Sequence, residues 1–397
     1  MIFFEDEEHH HFYPLALTRP TDDLRIGILK IHEKWLRYLN KPTFARSVRP
    51  SLKKFFNKDQ KNNQEDALWV NSRFLPDTEL IPQIMRLQTG QGISYDSIPV
   101  VIRLSANESA DKLKDTPPDF SGFPCEPANS GFLLTRIWQL FQHNGEEIQK
   151  DYLLLNKESP SHPTDTQNSI IVNPEKIHFE EHVQIDAGVI LDATGGPIYV
   201  GSNANIMSGS MIKGPAAICD RAIIKMGAKI YPETTIGPVC KVGGEVKNVI
   251  FQSYSNKAHE GFLGNSLIGE WCNLGADTNS SNLKNNYKPV YLNNWTTGEP
   301  YETGVSYCGS ILGDHTKTAI NTMLNTGTVC GVACNLLSSG FSPKIIPSFS
   351  WISDDGEDIN KFDKAMETAG RVMAKRNIKL TDEYRVLMQY IYENRIQ

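Results

Sequence analysis

The chain has 397 residues, 40% of them hydrophobic and 22% charged, with a net charge of −6. These proportions are ordinary for globular protein, and the length fits two or three domains of about 150 residues. The acidic balance argues against a nucleic-acid binder, which carries a basic surplus, and no apolar run reaches the roughly 18 to 20 residues of a membrane span.

The first residues, Met1-Ile2-Phe3-Phe4, are followed at once by the acids Glu5, Asp6, Glu7 and Glu8. A secretory signal has basic residues first and then a long apolar core, so a cytoplasmic protein is expected. His9-His10-His11, read on a strand, cannot face one ion, and no metal site is expected there. Residues 1–157 mix helix and strand signals and read as an α/β domain. Residues 24–39 and 137–155 have apolar positions at helical spacing, and residues 100–104 read as a short strand. The basic run at 41–61 reads as a solvated face. A polar stretch carrying Pro160 and Pro163 reads as a linker, placed at 158–169. The seven cysteines are scattered, with Cys330 and Cys334 the only close pair, and fit buried thiols in a reducing compartment rather than a zinc site.

In the middle of the chain aliphatic residues recur every sixth position. Ile171, Ile177, Val183 and Val189 begin the count, and an insertion at Gly195-Gly196-Pro197 interrupts it. Val200, Ile206, Ile212, Ile218, Ile224, Ile230, Ile236 and Val242 resume it. At 40% hydrophobic content, such a run of eight arises by chance in fewer than about one frame in a thousand, and all eight residues are β-branched. A weaker echo follows at Val305, Ile311, Met323 and Val329, broken by Lys317. A period of six is neither helical nor a simple alternation. It predicts a β-solenoid over residues 170–353, each hexad supplying one short strand and one corner. The recurring aliphatic points inward and stacks on its equivalents in adjacent coils. Such a rod needs its ends covered, and residues 354–397, with helical patterns at 359–375 and 380–395, read as a segment that does so. Residues 254–260 and 279–303 break the period and read as loops leaving the coils, where function concentrates on a rigid scaffold.

Around these loops Lys257-Ala258-His259, Phe262-Leu263-Gly264, Ile268-Gly269 and Asn273-Leu274-Gly275-Ala276 follow one another with the spacing of a known family. The rod resembles the hexapeptide-repeat acyltransferases, which form left-handed parallel β-helices and are usually trimers. More closely, the chain is similar to the bifunctional GlmU-type enzymes. Those join an N-terminal, Rossmann-like sugar-1-phosphate uridylyltransferase domain to a C-terminal glucosamine-1-phosphate acetyltransferase. The resemblance implies acyl transfer from acetyl-CoA to an amino sugar or sugar phosphate, a homotrimer, and a nucleotide or nucleotide-sugar at the first domain. It implies His259 as general base, and Asn273, Asn282 and Lys288 as substrate contacts. Lys229, and Lys247 within Glu245-Val246-Lys247, are implied phosphate contacts. Ser310, Thr326 and Gly327, within Tyr307-Cys308-Gly309-Ser310 and Thr326-Gly327-Thr328, are implied in binding acyl-CoA. A substrate tyrosine of the family is replaced by Phe262, its Asn-Tyr pair is Asn282-Leu283, and an insertion follows Lys288. The acceptor is therefore expected to differ from glucosamine-1-phosphate, or to be held differently.

The residue types suit the chemistry on their own account. Acyl transfer to an amine needs a base that accepts a proton near neutral pH, for which histidine is the natural choice. It also needs donors for the thioester oxyanion, which backbone N–H groups supply, and a phosphorylated acceptor needs fixed positive charge.

The start of the chain, Tyr13-Pro14-Leu15-Ala16-Leu17-Thr18-Arg19-Pro20 with Arg25 and Glu33-Lys34-Trp35, resembles a GlmU-like branch of sugar nucleotidyltransferases. Arg19, Arg25 and Lys34 are the nucleotide contacts it implies. Residues 15–23 contain no glycine, so the backbone cradle that usually approaches a triphosphate is missing. Nucleotidyl transfer would also use a nucleoside triphosphate and Mg²⁺ held by carboxylates, with Asp6, at the end of the first strand, a candidate. Three rival readings follow. In one, nucleotidyl transfer survives and the solenoid is only a trimerisation rod. In another, the protein is a non-catalytic trimeric scaffold that binds nucleotide-sugars. The third is a solenoid carbonic anhydrase, for which His178, His182, His259 and His315 lack the spacing.

Overall fold

The computed structural model describes residues 1–56, 66–159, 161–166 and 168–395. Part of the basic run at 41–61 and part of the linker at 158–169 lie outside them. The chain separates into two compact units that are interleaved in sequence. The first contains Met1–Phe12, Thr18–Leu24 and Leu29–Ile137, and the second Tyr13–Leu17, Arg25–Ile28 and Trp138–Gln397. No helix among the described residues is long and apolar enough to cross a membrane.

The first unit is built on a six-stranded mixed sheet. Its spatial order is Ala45–Ser47, Ile2–Phe4, Ala67–Asn71, Ile98–Leu104, Gly92–Tyr95 and Cys125–Pro127. Ile2–Phe4 is parallel to both neighbours, and Ala67–Asn71 is antiparallel to Ile98–Leu104. Alternation sorts the side chains: Ile2, Phe4, Ala67, Trp69, Ile102 and Leu104 share one buried face with Phe120. Phe3 turns to the other face and meets Phe44 edge-on, with ring centroids 5.5 Å apart. The helix expected over 24–39 is confined to Ile31–Tyr38. The expected strand at 100–104 is the end of Ile98–Leu104.

The second unit is a left-handed parallel β-solenoid of about ten turns followed by helices. Parallel pairing repeats every eighteen residues over the regular coils, three hexads per coil, so the inward residues stack in three columns. One runs Phe179, Val200, Ile218, Ile236, Phe251, Ile268, Leu312, Cys330 and Ile346. A second runs Ile185, Ile206, Ile224, Val242 and then Lys257. The third runs Ile171, Leu191, Ile212, Ile230, Val246 and Leu263. All eight residues from Val200 to Val242 stand in these columns. In the first coil the columns are set by Phe179, Ile185 and Leu191, two residues after Ile177, Val183 and Val189, which pack against the same core. In the last coils the expected phase is off by one. The inward residues are Leu312, Thr318, Leu324, Cys330 and Leu336, not Ile311, Lys317, Met323 and Val329. Threonine and cysteine escape an aliphatic count, while Ile311 and Val329 are buried beside the column and mimic it.

One corner of the solenoid is built from left-handed residues that are not glycine. Val239, Tyr254, Trp271, His315, Ala333 and Phe349 all have φ between 58° and 62°. Such a φ is uncommon for a bulky residue. Here each N–H bonds a carbonyl one coil back, as Tyr254 does to Pro238 (2.9 Å) and Phe349 to Val332 (2.7 Å). The side chains stack along the corner: Tyr254 lies flat on Trp271 at 4.2 Å, and Trp271 on His315 at 6.1 Å. Residues 254–260 therefore stay within a coil. Only the stretch after Asn279–Ser280 leaves it, carrying the antiparallel hairpin Tyr291–Asn293 and Pro300–Glu302. The C-terminal helices Phe362–Ala374 and Asp382–Glu393 dock on the last coils, with Tyr384 Oη 3.0 Å from His315 Nε2 and Tyr392 edge-on to Phe349.

The helix Asn144–Glu158 belongs to the solenoid unit, and the contact division at Ile137 stands well before residue 157, where composition alone puts it. Asn144 explains part of this. Its Nδ2 donates to the Glu233 carbonyl (2.8 Å) and to Thr235 Oγ1 (3.1 Å), and its Oδ1 accepts the Gly27 N–H (2.7 Å). The segment Arg25–Ile28 lies between helix and rod. Gln252 Oε1 accepts the Arg25 N–H, and Asp151 Oδ2 the Ile28 N–H, both at 2.8 Å. Gly27 has φ +73°, and a Cβ there would come within 2.5 Å of Asp151 Oδ2, so only glycine fits.

Candidate functional site

The rod brings part of the expected site to one outer face. Lys229, Glu245 and Phe262 pair in register on adjacent coils, and Lys247 pairs with Gly264. Neighbouring strands lie about 4.8 Å apart and residues i and i+2 share a face, so Lys229, Glu245, Lys247 and Phe262 form one outward ladder. Asn282 joins it where the chain leaves the coil. Its Nδ2 donates to Asn265 Oδ1 (2.7 Å), and a Cβ on Gly264 would lie 2.6 Å from both that nitrogen and the Phe262 ring. Glycine at 264 thus makes the room that Asn282 occupies. Lys229 Nζ is 3.8 Å from Glu260. A groove of about 300 Å³, lined by Ile190, Asp192, Met211, Lys213, Lys229 and Tyr231, continues along the face from Lys229.

His259 stands at the corner between this face and the next. It follows the strand Asn256–Lys257 and precedes the strand that begins at Phe262. It is exposed, and its ring takes part in no hydrogen bond among the described residues. The corner is anchored from inside by Lys257, which occupies an inward column position and is 1% exposed. Its Nζ donates to the carbonyls of Gly243 (3.1 Å) and His259 (3.0 Å). Burial pushes its pKa down to about 8, with Lys229 adding to the effect and Glu260 and Asp277 opposing it.

The other expected residues lie apart from this ladder. Asn273 is on the neighbouring face, paired with Asn256, whose Nδ2 is 3.4 Å from its Oδ1. Lys288 is in the exposed excursion. Ser310 is fully buried, its hydroxyl 2.8 Å from that of Ser280 and its N–H bonded to Ser266 Oγ (2.9 Å). Thr326 is buried, and a Cβ on Gly327 would meet the Tyr291 carbonyl at 2.4 Å. The N–H groups of Thr326 and Gly327 are bonded as well, to Asn325 Oδ1 (2.8 Å) and to the carbonyls of Cys308 (3.1 Å) and Gly309 (2.9 Å). Lys257, Glu260 and Asn265 were not anticipated. The coil between Val242 and Lys257 is three residues short of eighteen, which hides the lysine from a count by sixes.

In the first unit several arginines are paired with acids. Asp6, just past the strand Ile2–Phe4, takes a two-pronged contact from Arg73: Nε to Oδ1 at 2.9 Å and Nη2 to Oδ2 at 2.5 Å. Asn71 adds a third bond (2.8 Å). Burial works against the Asp6 charge, but Arg73 and Asn71 outweigh it and hold the carboxyl below its ordinary range. Glu5 pairs with Arg49 at 2.5 Å, and Asp22 and Asp23 with Arg46 at 2.7 and 3.3 Å. A divalent cation at Asp6 would have to displace a guanidinium, so this donor set does not suit Mg²⁺. Arg19 is 4% exposed and accepts an N–H from Arg49 at its carbonyl (3.3 Å), while Lys34 is fully buried on its helix. Arg25 belongs to the solenoid unit, where its guanidinium donates to the Ile28 carbonyl.

Residues 1–159 match the family model described as sugar nucleotidyl transferase. The uncharacterized acetyltransferase YaiX of Escherichia coli K12 is 28% identical over 38% of this chain and 65% of its own length. The bifunctional protein GlmU of Methanococcus aeolicus is 34% identical over 26% of this chain and 25% of its own. A bifunctional sugar-1-phosphate nucleotidylyltransferase/acetyltransferase of Sulfurisphaera tokodaii is 30% identical over 39% of this chain and 36% of its own. The chain thus spans less than two thirds of the length of each relative. A segment matching the sugar nucleotidyl transferase model is thus combined in this chain with a left-handed β-solenoid, and parts of the chain are similar to GlmU-type proteins.

Proposed function

We propose that the protein is a transferase whose solenoid moves an acyl group, acetyl from acetyl-CoA, to an amino sugar or amino-sugar phosphate. The observation that carries this reading is the outward ladder of Lys229 and Lys247 beside an exposed corner histidine. The lysines supply fixed charge for a phosphate, and His259 supplies the base. The acceptor amine attacks the thioester carbonyl, the C–S bond breaks, and the proton lost by the amine passes to His259 and on to the departing thiolate. Asn282 binds the acceptor near the lysines in this reading, and Asn273, on the neighbouring face, and Lys288, in the excursion, are further contacts only if the acceptor reaches beyond the ladder. Ser310, Thr326 and Gly327 belong to the coils that would hold acyl-CoA. The name of the Sulfurisphaera tokodaii relative, which pairs acetyltransferase with sugar-1-phosphate chemistry, supports this substrate class. A cytoplasmic homotrimer fits the same reading.

For the first domain we favour binding of a nucleotide-sugar without nucleotidyl transfer. The Arg73–Asp6 contact and the buried Lys34 support that choice.

The test is acetyl-CoA thioester consumption against a panel of amino sugars and their 1-phosphates. Turnover is expected with one acceptor and is expected to vanish in His259→Ala. Lys247→Met should raise KM for the phosphorylated acceptor roughly tenfold, the worth of one charge-assisted hydrogen bond, and leave an unphosphorylated analogue unaffected. Absence of turnover with every acceptor would refute acyl transfer. Pyrophosphate exchange into a nucleotide in the presence of Mg²⁺ would refute the reading of the first domain.

A further inference from the structure

The residues His9-His10-His11 lie on a short 3₁₀-helix, Glu7–Phe12, with its i to i+3 repeat, and not on a strand. On such a helix residues three apart eclipse one another, so Glu8 and His11 are brought to one side. The geometry follows: His11 Nε2 is 2.8 Å from Glu8 Oε2. His10 comes up beside them, its ring 4.1 Å from that of His11. One ring nitrogen of each histidine and a carboxylate oxygen of Glu8 all lie within 4.8 Å of one another.

We propose that Glu8, His10 and His11 form a binding site for a divalent d-block cation such as Zn²⁺, Co²⁺ or Ni²⁺. Two imidazoles and one carboxylate are a donor set that such ions prefer to the all-oxygen sets of Mg²⁺ and Ca²⁺. The second observation is the orientation of His10. Its Nδ1 is 2.7 Å from the Glu7 carbonyl, which takes the N–H and leaves the Nε2 lone pair free. A backbone carbonyl on the far nitrogen is the usual partner that fixes the tautomer of a metal-binding histidine. The contact between His11 and Glu8 is the one the cation replaces, since both groups turn their donor atoms toward the same point. Glu8 and the two histidines lie at or near the surface, so the remaining coordination positions are open to water or to an anionic ligand. Arg136 acts on His11 electrostatically, which weakens the site relative to one without a neighbouring cation.

The test is calorimetric titration of the full-length, chelator-treated protein with Zn²⁺, paired with the visible absorption spectrum of the Co²⁺ form. One site per chain is expected, together with a Co²⁺ spectrum of mixed nitrogen and oxygen ligation. His10→Ala and His11→Ala should each weaken binding roughly tenfold or more, and Glu8→Gln by a smaller factor. All three positions are outside the core, so melting temperature without metal should be unchanged in the variants, which separates loss of the site from loss of fold. Zn²⁺ binding of undiminished affinity in His10→Ala and His11→Ala, or no binding by the wild type, would overturn the proposal.

Discussion

Lys257 sits where the column of Ile206, Ile224 and Val242 continues, and a charge there has to be explained. A buried ammonium without a carboxylate is costly. Two carbonyls, of Gly243 and His259, partly offset that cost, and both belong to the turns that carry the site. The depressed pKa turns this into a measurable effect. Between about pH 8 and 10.5 the folded chain has released a proton that the unfolded chain still holds, so stability rises with pH across that window. The full shift corresponds to about 3 kcal/mol. Lys257→Met removes the titrating group and keeps the volume. Urea unfolding at about pH 7.5 and about pH 10 should therefore show the wild type gaining up to about 3 kcal/mol on the variant. A difference that is flat with pH would mean that the lysine is solvated. The ladder beside it was reached at the level of single residues through the resemblance, which implied Lys229 and Lys247 as phosphate contacts; the structure sets Lys229, Glu245 and Lys247 on adjacent strands of one face. His259 was found through the motif around it, whereas Lys257 was quoted in the same motif without its burial being foreseen. A coil three residues short of eighteen set it in an inward column, and no residue type announces a shortened coil.

At the scale of the element, the solenoid was legible wherever one residue class filled every inward position. From Val200 to Val242 each hexad places a β-branched residue in a column, and such residues suit short strands. Beyond the hairpin excursion the columns use Leu312, Thr318, Leu324, Cys330 and Leu336, and the flanking Ile311 and Val329 are also buried. Two adjacent apolar registers then compete, and pattern alone has no means to choose between them. The structure selects the register of Leu312 and Leu324, and the choice is testable. Leu324 is 1% exposed in the core and its neighbour Met323 is only partly buried. Leu324→Ala should lower stability by about 2–5 kcal/mol, the range for a buried leucine. Met323→Ala should cost well under half of that, since a partly exposed side chain leaves less of a cavity. Equal losses, read from urea midpoints of the two variants, would restore the other phase. The corner stack of Tyr254, Trp271 and His315 was invisible for a different reason. Left-handed backbone is expected at glycine, and here a ladder of main-chain bonds imposes it on aromatic residues.

For the whole molecule, the division by contacts departs from the division by composition because a few buried polar groups cross it. Arg25–Ile28 precedes the solenoid by more than a hundred residues of chain and still belongs to it. The apolar spacing at 24–39 looked helical because Leu24, Ile26, Ile28 and Leu29 are all buried, yet only Ile31–Tyr38 coils. The short segment earns its burial through backbone bonds: Gln252, Asn144 and Asp151 accept the N–H groups of Arg25, Gly27 and Ile28, and Thr235 Oγ1 donates to the Gly27 carbonyl (2.8 Å). Removing the segment leaves four buried polar side chains without these partners, at about 1–3 kcal/mol each where water does not reach them. A chain starting at residue 138 keeps every solenoid column and both C-terminal helices, and the hexad pattern alone gives no reason for it to be weak. It should nevertheless melt well below the solenoid transition of the full chain. Restoring Arg25–Ile28 as a synthetic peptide should recover part of the loss, and a Gly27→Val peptide should not, because its side chain meets Asp151 and the Glu147 backbone. Equal melting of the shortened and full chains would show that these bonds add nothing to the rod.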